Sequence, residues 1–171
     1  METAERQWVE TLYDGSTVVV RPLRRTDIGA EREFVGGLSP HSRRMRFLGE
    51  FAGLPDAELR RLVDVDGVRK VAFAAFDSCD RLVGVSRFSC DADPRGCECA
   101  VAVADAWQGV GLGTCLMRHL VDAAREHGIH RMWSLDFACN TEMQELAKFL
   151  GFASTRCPND PGMVMHELTL R

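Results

Sequence analysis

The sequence predicts a mixed α/β domain in which a central, mostly antiparallel sheet is flanked by helices. Three observations predict it. Helix-type patterns with start and stop residues dominate the first third. Short β-type runs separated by polar turns fill the middle. Strand and helix then alternate to the C-terminus.

Trp8 to Leu12 reads as a short strand or a terminal turn, and Asp14-Gly15 is a turn signal. Thr17 to Val20 is β-branched and reads as a strand ending near Pro22. Thr26 and Asp27 offer helix caps for Ile28 to Val35, with Gly36-Gly37 as the stop. Ser39-Pro40 is a cap followed by proline at the first helical position, starting a helix through Met45, Phe47 and Leu48. Pro55 to Val63 repeats that pattern, with Leu59, Leu62 and Val63 on one face. Lys70 to Phe76 and Arg81 to Phe88 are strands of a hairpin joined by the polar Asp77 to Asp80. After a turn at Asp91 to Gly96, Cys97 to Ala104 is apolar on both sides, the pattern of a strand covered on two faces. Leu112 to His127 is a helix with Leu116, Leu120, Val121 and Ala124 as its apolar stripe, ended by Gly128. Met132 to Phe137 is a strand. Asn140 or Thr141 caps a helix through Leu150, stopped by Gly151, and Met163 to Leu170 is a last strand.

The 171 residues are enough for one domain, 1–171, with its own core and no second domain, repeat or linker. Lys+Arg is 21 against Asp+Glu 25, so the basic surface that grips nucleic acid is not expected. Nothing reads as a membrane span or a secretory leader. The seven cysteines include no C-x-x-C pair, so free thiols in a reducing cytoplasm are expected, and no metal.

The segment that carries chemistry is Val101-Ala102-Val103-Ala104-Asp105-Ala106-Trp107-Gln108-Gly109-Val110-Gly111-Leu112-Gly113-Thr114. A strand enters a glycine-dense turn that opens into a long helix. The first amides of a helix lack internal partners and sit at the positive end of its dipole, and glycines let a phosphate approach the backbone. A nucleotide P-loop would need lysine after the last glycine, and here Gly113 precedes Thr114-Cys115. The dinucleotide fingerprint would place its third glycine one residue later.

Gln108-Gly109-Val110-Gly111-Leu112-Gly113 resembles the Q/R-x-x-G-x-G/A signature of the GCN5-related N-acetyltransferases (GNAT family). The strand before the loop and the pattern Asn140…Leu146…Gly151-Phe152 are similar to that family in the same order. Val20-Arg21-Pro22-Leu23-Arg24, then Leu38-Ser39-Pro40-His41-Ser42-Arg43-Arg44-Met45-Arg46-Phe47, with Ala106-Trp107-Gln108-Gly109 and Asn140-Thr141-Glu142-Met143, resemble the acetyltransferase domain of bacterial Pat-type protein lysine acetyltransferases. The resemblance implies a GNAT-like acyl-CoA N-acyltransferase fold and acetyl-CoA as co-substrate. Its pyrophosphate would lie on Gln108, Gly109, Val110, Gly111, Leu112, Gly113 and Thr114. Its pantetheine arm would lie along Val101, Ala102 and Val103, with Asn140 as a contact or a plain helix cap. The acceptor implied is a protein lysine; a small amine such as a polyamine or amino-sugar drug, with Asp91, Asp93 and Glu98 as its carboxylates, is the alternative. A non-catalytic acyl-CoA binding module is a third reading.

Acetyl transfer to an amine needs a held thioester, a base for the ammonium and a donor for the oxyanion. Glu98 is the candidate base, a carboxylate in an otherwise apolar strand where desolvation raises its pKa. A backbone amide near Val101 or Val103 is the oxyanion donor. Many relatives carry an acidic tyrosine where this chain has Ala147, and the one tyrosine, Tyr13, lies near the N-terminus. Cys115 and Cys139 read as small core residues, since neither has a partner base for an acetyl-cysteine step. His119, His127 and His130 read as exposed polar positions, Arg43, Arg44 and Arg46 as a solvated helix face, and Trp107 as packing beneath the loop.

Overall fold

The structure is a computed structural model that describes residues 6–49 and 53–171; residues 1–5, read above for a leader, lie outside that range. Eight strands form one sheet: β1 (Trp8–Thr11), β2 (Thr17–Pro22), β3 (Lys70–Phe76), β4 (Leu82–Cys90), β5 (Gly96–Val103), β6 (Arg131–Phe137), β7 (Ala153–Cys157) and β8 (Asp160–Thr169). Their order is β1-β2-β3-β4-β5-β6-β8-β7, and every neighbouring pair is antiparallel except β5–β6. The helices are α1 (Ile28–Gly37), α2 (Pro40–Phe47), α3 (Asp56–Val63), α4 (Leu112–Glu126) and α5 (Thr141–Phe149).

Strand alternation sorts the core into two layers. From β3, Val71, Phe73 and Ala75 face Leu112, Leu116, Leu120 and Ala124 of α4 and Ala147 of α5. Ala72, Ala74 and Phe76 face Phe34, Val35 and Val63 of α1 and α3. The strands covered on both faces are thus β3 and most of β4, not the stretch from Cys97 to Ala104. There only Cys97 and Cys99 are buried, and Ala100 to Val103 are half-buried because they border a groove. Helix α4 approaches β4 so closely that a Cβ on Gly84 would lie 2.8 Å from Leu116 Cδ1.

Three local expectations are corrected. Asp27 does not cap α1 with its side chain: its carboxylate takes two hydrogen bonds from Arg21, at 2.8 and 2.9 Å, and one from the Arg24 amide. α1 runs two residues past Val35 and stops at Gly37, the second glycine of the expected stop, where Leu38 turns extended. The sequence pattern does not reveal strand β7. It is an exposed edge strand, Ala-Ser-Thr-Arg-Cys, with no apolar alternation to reveal it, and it is held by pairing with β8. By contrast Ser39 caps α2 as expected, its Oγ accepting from the Ser42 amide at 3.1 Å.

Candidate active site

The glycine loop makes an open helix mouth. Gly109 and Gly111 adopt φ of +78° and +92°, a region that disfavours side chains. A Cβ on Gly111 would also lie 2.8 Å from Cε2 of Tyr13. The first bond within α4 runs from the Cys115 amide to Gly111 O at 3.0 Å, so the amides of Leu112, Gly113 and Thr114 precede it, and no side chain caps the helix. These amides and the helix dipole offer an anion site. The loop is braced from behind. Gln108 Nε2 donates to Val103 O at 3.0 Å and to Ser42 Oγ at 3.2 Å, and the Asp105 carboxylate accepts from the Ser39 amide and Ser42 Oγ. Burial would raise the Asp105 pKa, but these bonds outweigh it and hold the carboxyl below its usual range.

The sheet parts next to this mouth. β5 and β6 pair only from Gly96↔Arg131 to Glu98↔Trp133. Beyond Glu98, β5 stays paired with β4 alone, while β6 continues against β8. The Ala104 amide bonds to Val83 O, so antiparallel alternation turns the backbone groups of Ala102 and Ala100 toward β4 and those of Val101 and Cys99 toward the gap. The Cys99 amide closes the last rung with β6, as the Glu98↔Trp133 pair requires, so an extended ligand can pair with the Cys99 carbonyl and with Val101. Ala102 offers the groove only its side chain, and the Val103 carbonyl is already engaged by Gln108.

The gap is the floor of a groove of about 830 Å³. Glu98, Val101, Ala102, Val103, Gln108, Gly109, Gly111, Leu112, Gly113, Thr114 and Asn140 all line it. Val110 does not: its carbonyl accepts the Tyr13 amide at 3.0 Å, and its side chain packs on the core. Asn140 caps α5, Oδ1 accepting from the Met143 amide at 3.2 Å, and also faces the groove. Trp107 joins the core and the groove wall together.

Glu98 sits where this groove meets a second cavity of about 310 Å³, on the α3 side of the sheet. Its side chain is exposed within that junction. Partial desolvation nevertheless raises its pKa, with Asp91 and Asp136 adding to the rise and Arg46 opposing it. Arg46 itself is pushed down to about 10 by burial, with Arg87 adding to the fall and Glu31, Asp136 and Glu98 pulling back. It is therefore no part of a solvated face; it lines both cavities. Arg44 lies over the Phe137 ring at 4.8 Å.

Several residues escaped the sequence reading. Tyr13 lies far from the loop in sequence, yet its hairpin tip places it on the loop and the groove wall. Asp136 lines the groove from β6. Asp91 and Asp93 line neither cavity: Asp91 accepts from Trp133 Nε1, and Asp93 pairs with Arg95. Cys115, pushed up to about 11 by burial, and the exposed Cys139 do not line the groove. One histidine differs from the exposed positions expected: His119 is half-buried, its Nε2 2.7 Å from Glu10 Oε1 and its ring stacked on Trp8. His127 and His130 are exposed as expected, and the His127 ring bonds to the carbonyls of Ala123 and Gly67. Glu10, Cys115 and His119 form a trio of metal-ligand type among the described residues, but the direct contact of His119 with Glu10 already satisfies both side chains.

Comparison with known proteins agrees with this geometry. The model of the acetyltransferase (GNAT) family matches residues 39–152. An acetyltransferase of Pseudomonas aeruginosa, PA5475, is 45% identical over 166 residues, covering 95% of this chain and 89% of that one. The GNAT domain of S. lividans PAT superposes with a TM-score of 0.91 at 26% identity, covering 99% of this chain and all of that one. yncA from Salmonella typhimurium, solved with its cofactor acetyl-CoA, shares the fold with a TM-score of 0.69 at 23% identity, over 90% of this chain and 94% of that one. An uncapped helix mouth beside a parted sheet, in a chain matched by the family model over two thirds of its length, leads to one conclusion: this protein belongs to the GNAT family of acetyltransferases.

Proposed function

We propose that the protein transfers an acetyl group from acetyl-CoA to the side-chain amine of a protein lysine. One observation carries the reading: the groove from the α4 mouth and the second cavity meet at Glu98, where the sheet parts. The groove suits the coenzyme. The amides of Leu112, Gly113 and Thr114 would take its diphosphate, and the open backbone of Val101 with the Cys99 carbonyl its amide-bearing arm. The second cavity suits the acceptor. It is lined by Arg46, Arg61, Lys70 and Arg87 against Glu58, Asp64 and Glu98, so it lacks the carboxylate excess that a polyamine would require. The resemblance to Pat-type enzymes supports the lysine acceptor. All seven cysteines are free, and among the described residues no helix is long and apolar enough to cross a membrane; the first point supports a reducing, cytoplasmic setting.

In this arrangement Glu98 takes a proton from the ammonium, the amine nitrogen attacks the thioester carbon, and the Val101 amide faces the developing oxyanion. Glu98→Gln should lower kcat by about 100- to 10,000-fold, the range for loss of a general base, with the Kd of acetyl-CoA by calorimetry within about twofold. Unchanged turnover would remove Glu98 as the base. Mass spectrometry of a lysine peptide, run beside spermidine and an amino-sugar, decides the acceptor; turnover of the small amines alone would overturn the protein-lysine assignment.

A further inference from the structure

β6, β8 and β7 place Ser134, His166 and Ser154 side by side in one row of the sheet. His166 has no exposed surface. Its Nδ1 lies 2.7 Å from Ser154 Oγ, on the exposed outer strand. Its Nε2 is buried without a hydrogen-bond partner and lies 3.8 Å from Asp136 Oδ2. Asp136 in turn accepts from Ser134 Oγ at 2.8 Å and lines the coenzyme groove. A buried, half-satisfied imidazole is unfavourable, and an apolar residue like Val164 or Leu168 on the same strand would avoid the loss. What the imidazole does provide is a connection from solvent, at the sheet's outer edge, to a carboxyl group in the groove.

We propose that Ser154, His166 and Asp136 form a proton path through the sheet, with Asp136 as the acid that protonates the departing thiolate of coenzyme A. The proposal rests on the acetyltransferase reading above. The position is suitable. Asp136 shares the face of β6 with Met132, which packs in one cluster with Ala147 of α5. Ala147 stands where many relatives place a tyrosine acid, and its methyl group has no proton to give. The groups facing Asp136 are His166 from β8, Arg46 from α2 and Glu98 from β5, with Glu142 and Glu145 of α5 on the same groove. Burial raises the Asp136 carboxyl above its usual range, against the pull of Ser134, His166 and Arg46, which favours the protonated acid.

The step balances as follows. The amine nitrogen forms a bond to the acetyl carbon, and the carbon–sulfur bond breaks with its electron pair on sulfur. The Asp136 proton passes to sulfur. The carboxylate is then reprotonated from His166 Nε2–H, Nδ1 takes the Ser154 hydroxyl proton, and solvent restores that hydroxyl. The 3.8 Å gap must shorten by about 1 Å for the transfer, within reach of a carboxyl rotation. The nitrogen loses two protons, one as the ammonium becomes the amine and one as the tetrahedral intermediate collapses to the amide. Both leave through Glu98, and with one proton taken in along the path to sulfur the reaction releases one proton net.

The test uses the whole chain. Asp136→Asn should lower kcat by about 100-fold, with the Kd of acetyl-CoA within about twofold, and abolish the fall of kcat at high pH that deprotonation of an acid produces. Ser154→Ala changes an exposed edge residue but also removes the one hydrogen bond of the buried His166 ring, so Ser154→Thr, which keeps the hydroxyl, is run beside it and should retain the wild-type rate and isotope effect. Ser154→Ala should lower kcat by about threefold and shrink the solvent deuterium isotope effect, whereas loss of a merely structural serine would leave the isotope effect unchanged. Wild-type kcat and pH profile in Asp136→Asn would overturn the acid. A wild-type rate and isotope effect in Ser154→Ala would overturn the path. Should the wild-type protein neither bind nor turn over acetyl-CoA, the coenzyme reading falls first, and this proposal with it.

Discussion

Glu31 and Arg87 show how a single pair of side chains supports the site from below. The Arg87 guanidinium donates to Glu31 Oε1 at 2.9 Å and also to Leu62 O, and the Glu31 side chain is only 2% exposed. Burial raises the Glu31 pKa, while Arg87 and Arg46 oppose the rise. Removing one partner leaves the other charge buried and uncompensated, so Arg87→Met should cost about 3–5 kcal/mol in urea unfolding. The pH dependence has a definite sign. A carboxyl whose folded pKa is raised binds more protons folded than unfolded, so stability falls as pH rises through that range. The Arg87→Met deficit should be smallest near the bottom of the carboxylate range and largest at neutral pH. A deficit below about 1 kcal/mol, or one independent of pH, would show that the pair is solvated. The site residues that the sequence hid are of the same kind. Arg46, Asp136 and Tyr13 are brought to Glu98 and the loop by α2, β6 and the β1–β2 hairpin, and no spacing within any one segment encodes that convergence.

At the scale of elements, local patterns carried the reading wherever one segment contained its own signal. The β3–β4 hairpin, the Ser39 cap and the α4 stripe are such cases. The glycine loop is another, since strand, turn and helix start lie in fourteen consecutive residues. The loop's three glycines are nonetheless unequal. Gly111 has positive φ and the Tyr13 ring against it, whereas Gly113 is ordinary helix whose added Cβ would meet Leu146 Cδ2 at 3.5 Å and Val103 Cγ2 at 3.8 Å. Gly111→Ala should therefore destabilise the free protein by about 1–2 kcal/mol, the left-handed penalty alone. Gly113→Ala should hold or raise the melting temperature, because alanine is the better helix former by up to about 1 kcal/mol. Equal melting temperatures for the two variants would show that the loop relaxes around Gly111. Strand β7 and the two-residue extension of α1 from Val35 to Gly37 are not legible. The first depends on pairing with β8, and the second on α1 continuing until Leu38 is drawn extended.

For the molecule as a whole, the open seam is the decisive feature. Strands β1 to β5 and strands β6 to β8 form two halves of one sheet, joined across the seam by three residue pairs and by one core cluster that holds Cys97 and Met132 together. A coenzyme lying in the groove would add backbone bonds at Val101 and the Cys99 carbonyl and close contacts to α4 and α5, connecting the halves where the ladder stops. Acetyl-CoA should accordingly bind the folded state alone and stabilise it as a linked ligand. At 100 times its Kd the gain is about 2.7 kcal/mol. For a domain of this length that corresponds to a rise in melting temperature of roughly 5–10 °C. NAD carries a diphosphate but no pantetheine arm to pair with the open strand, so it should produce a much smaller shift. Hydrogen exchange should slow at Val101 on addition of acetyl-CoA, and stay unchanged at Ala100 and Ala102, whose amides are already held by β4, and at Cys99, whose amide closes the last rung with β6. An equal shift with NAD, or slowed exchange confined to the α4 mouth, would mean that the diphosphate alone is recognised and that the seam does not seat the thioester.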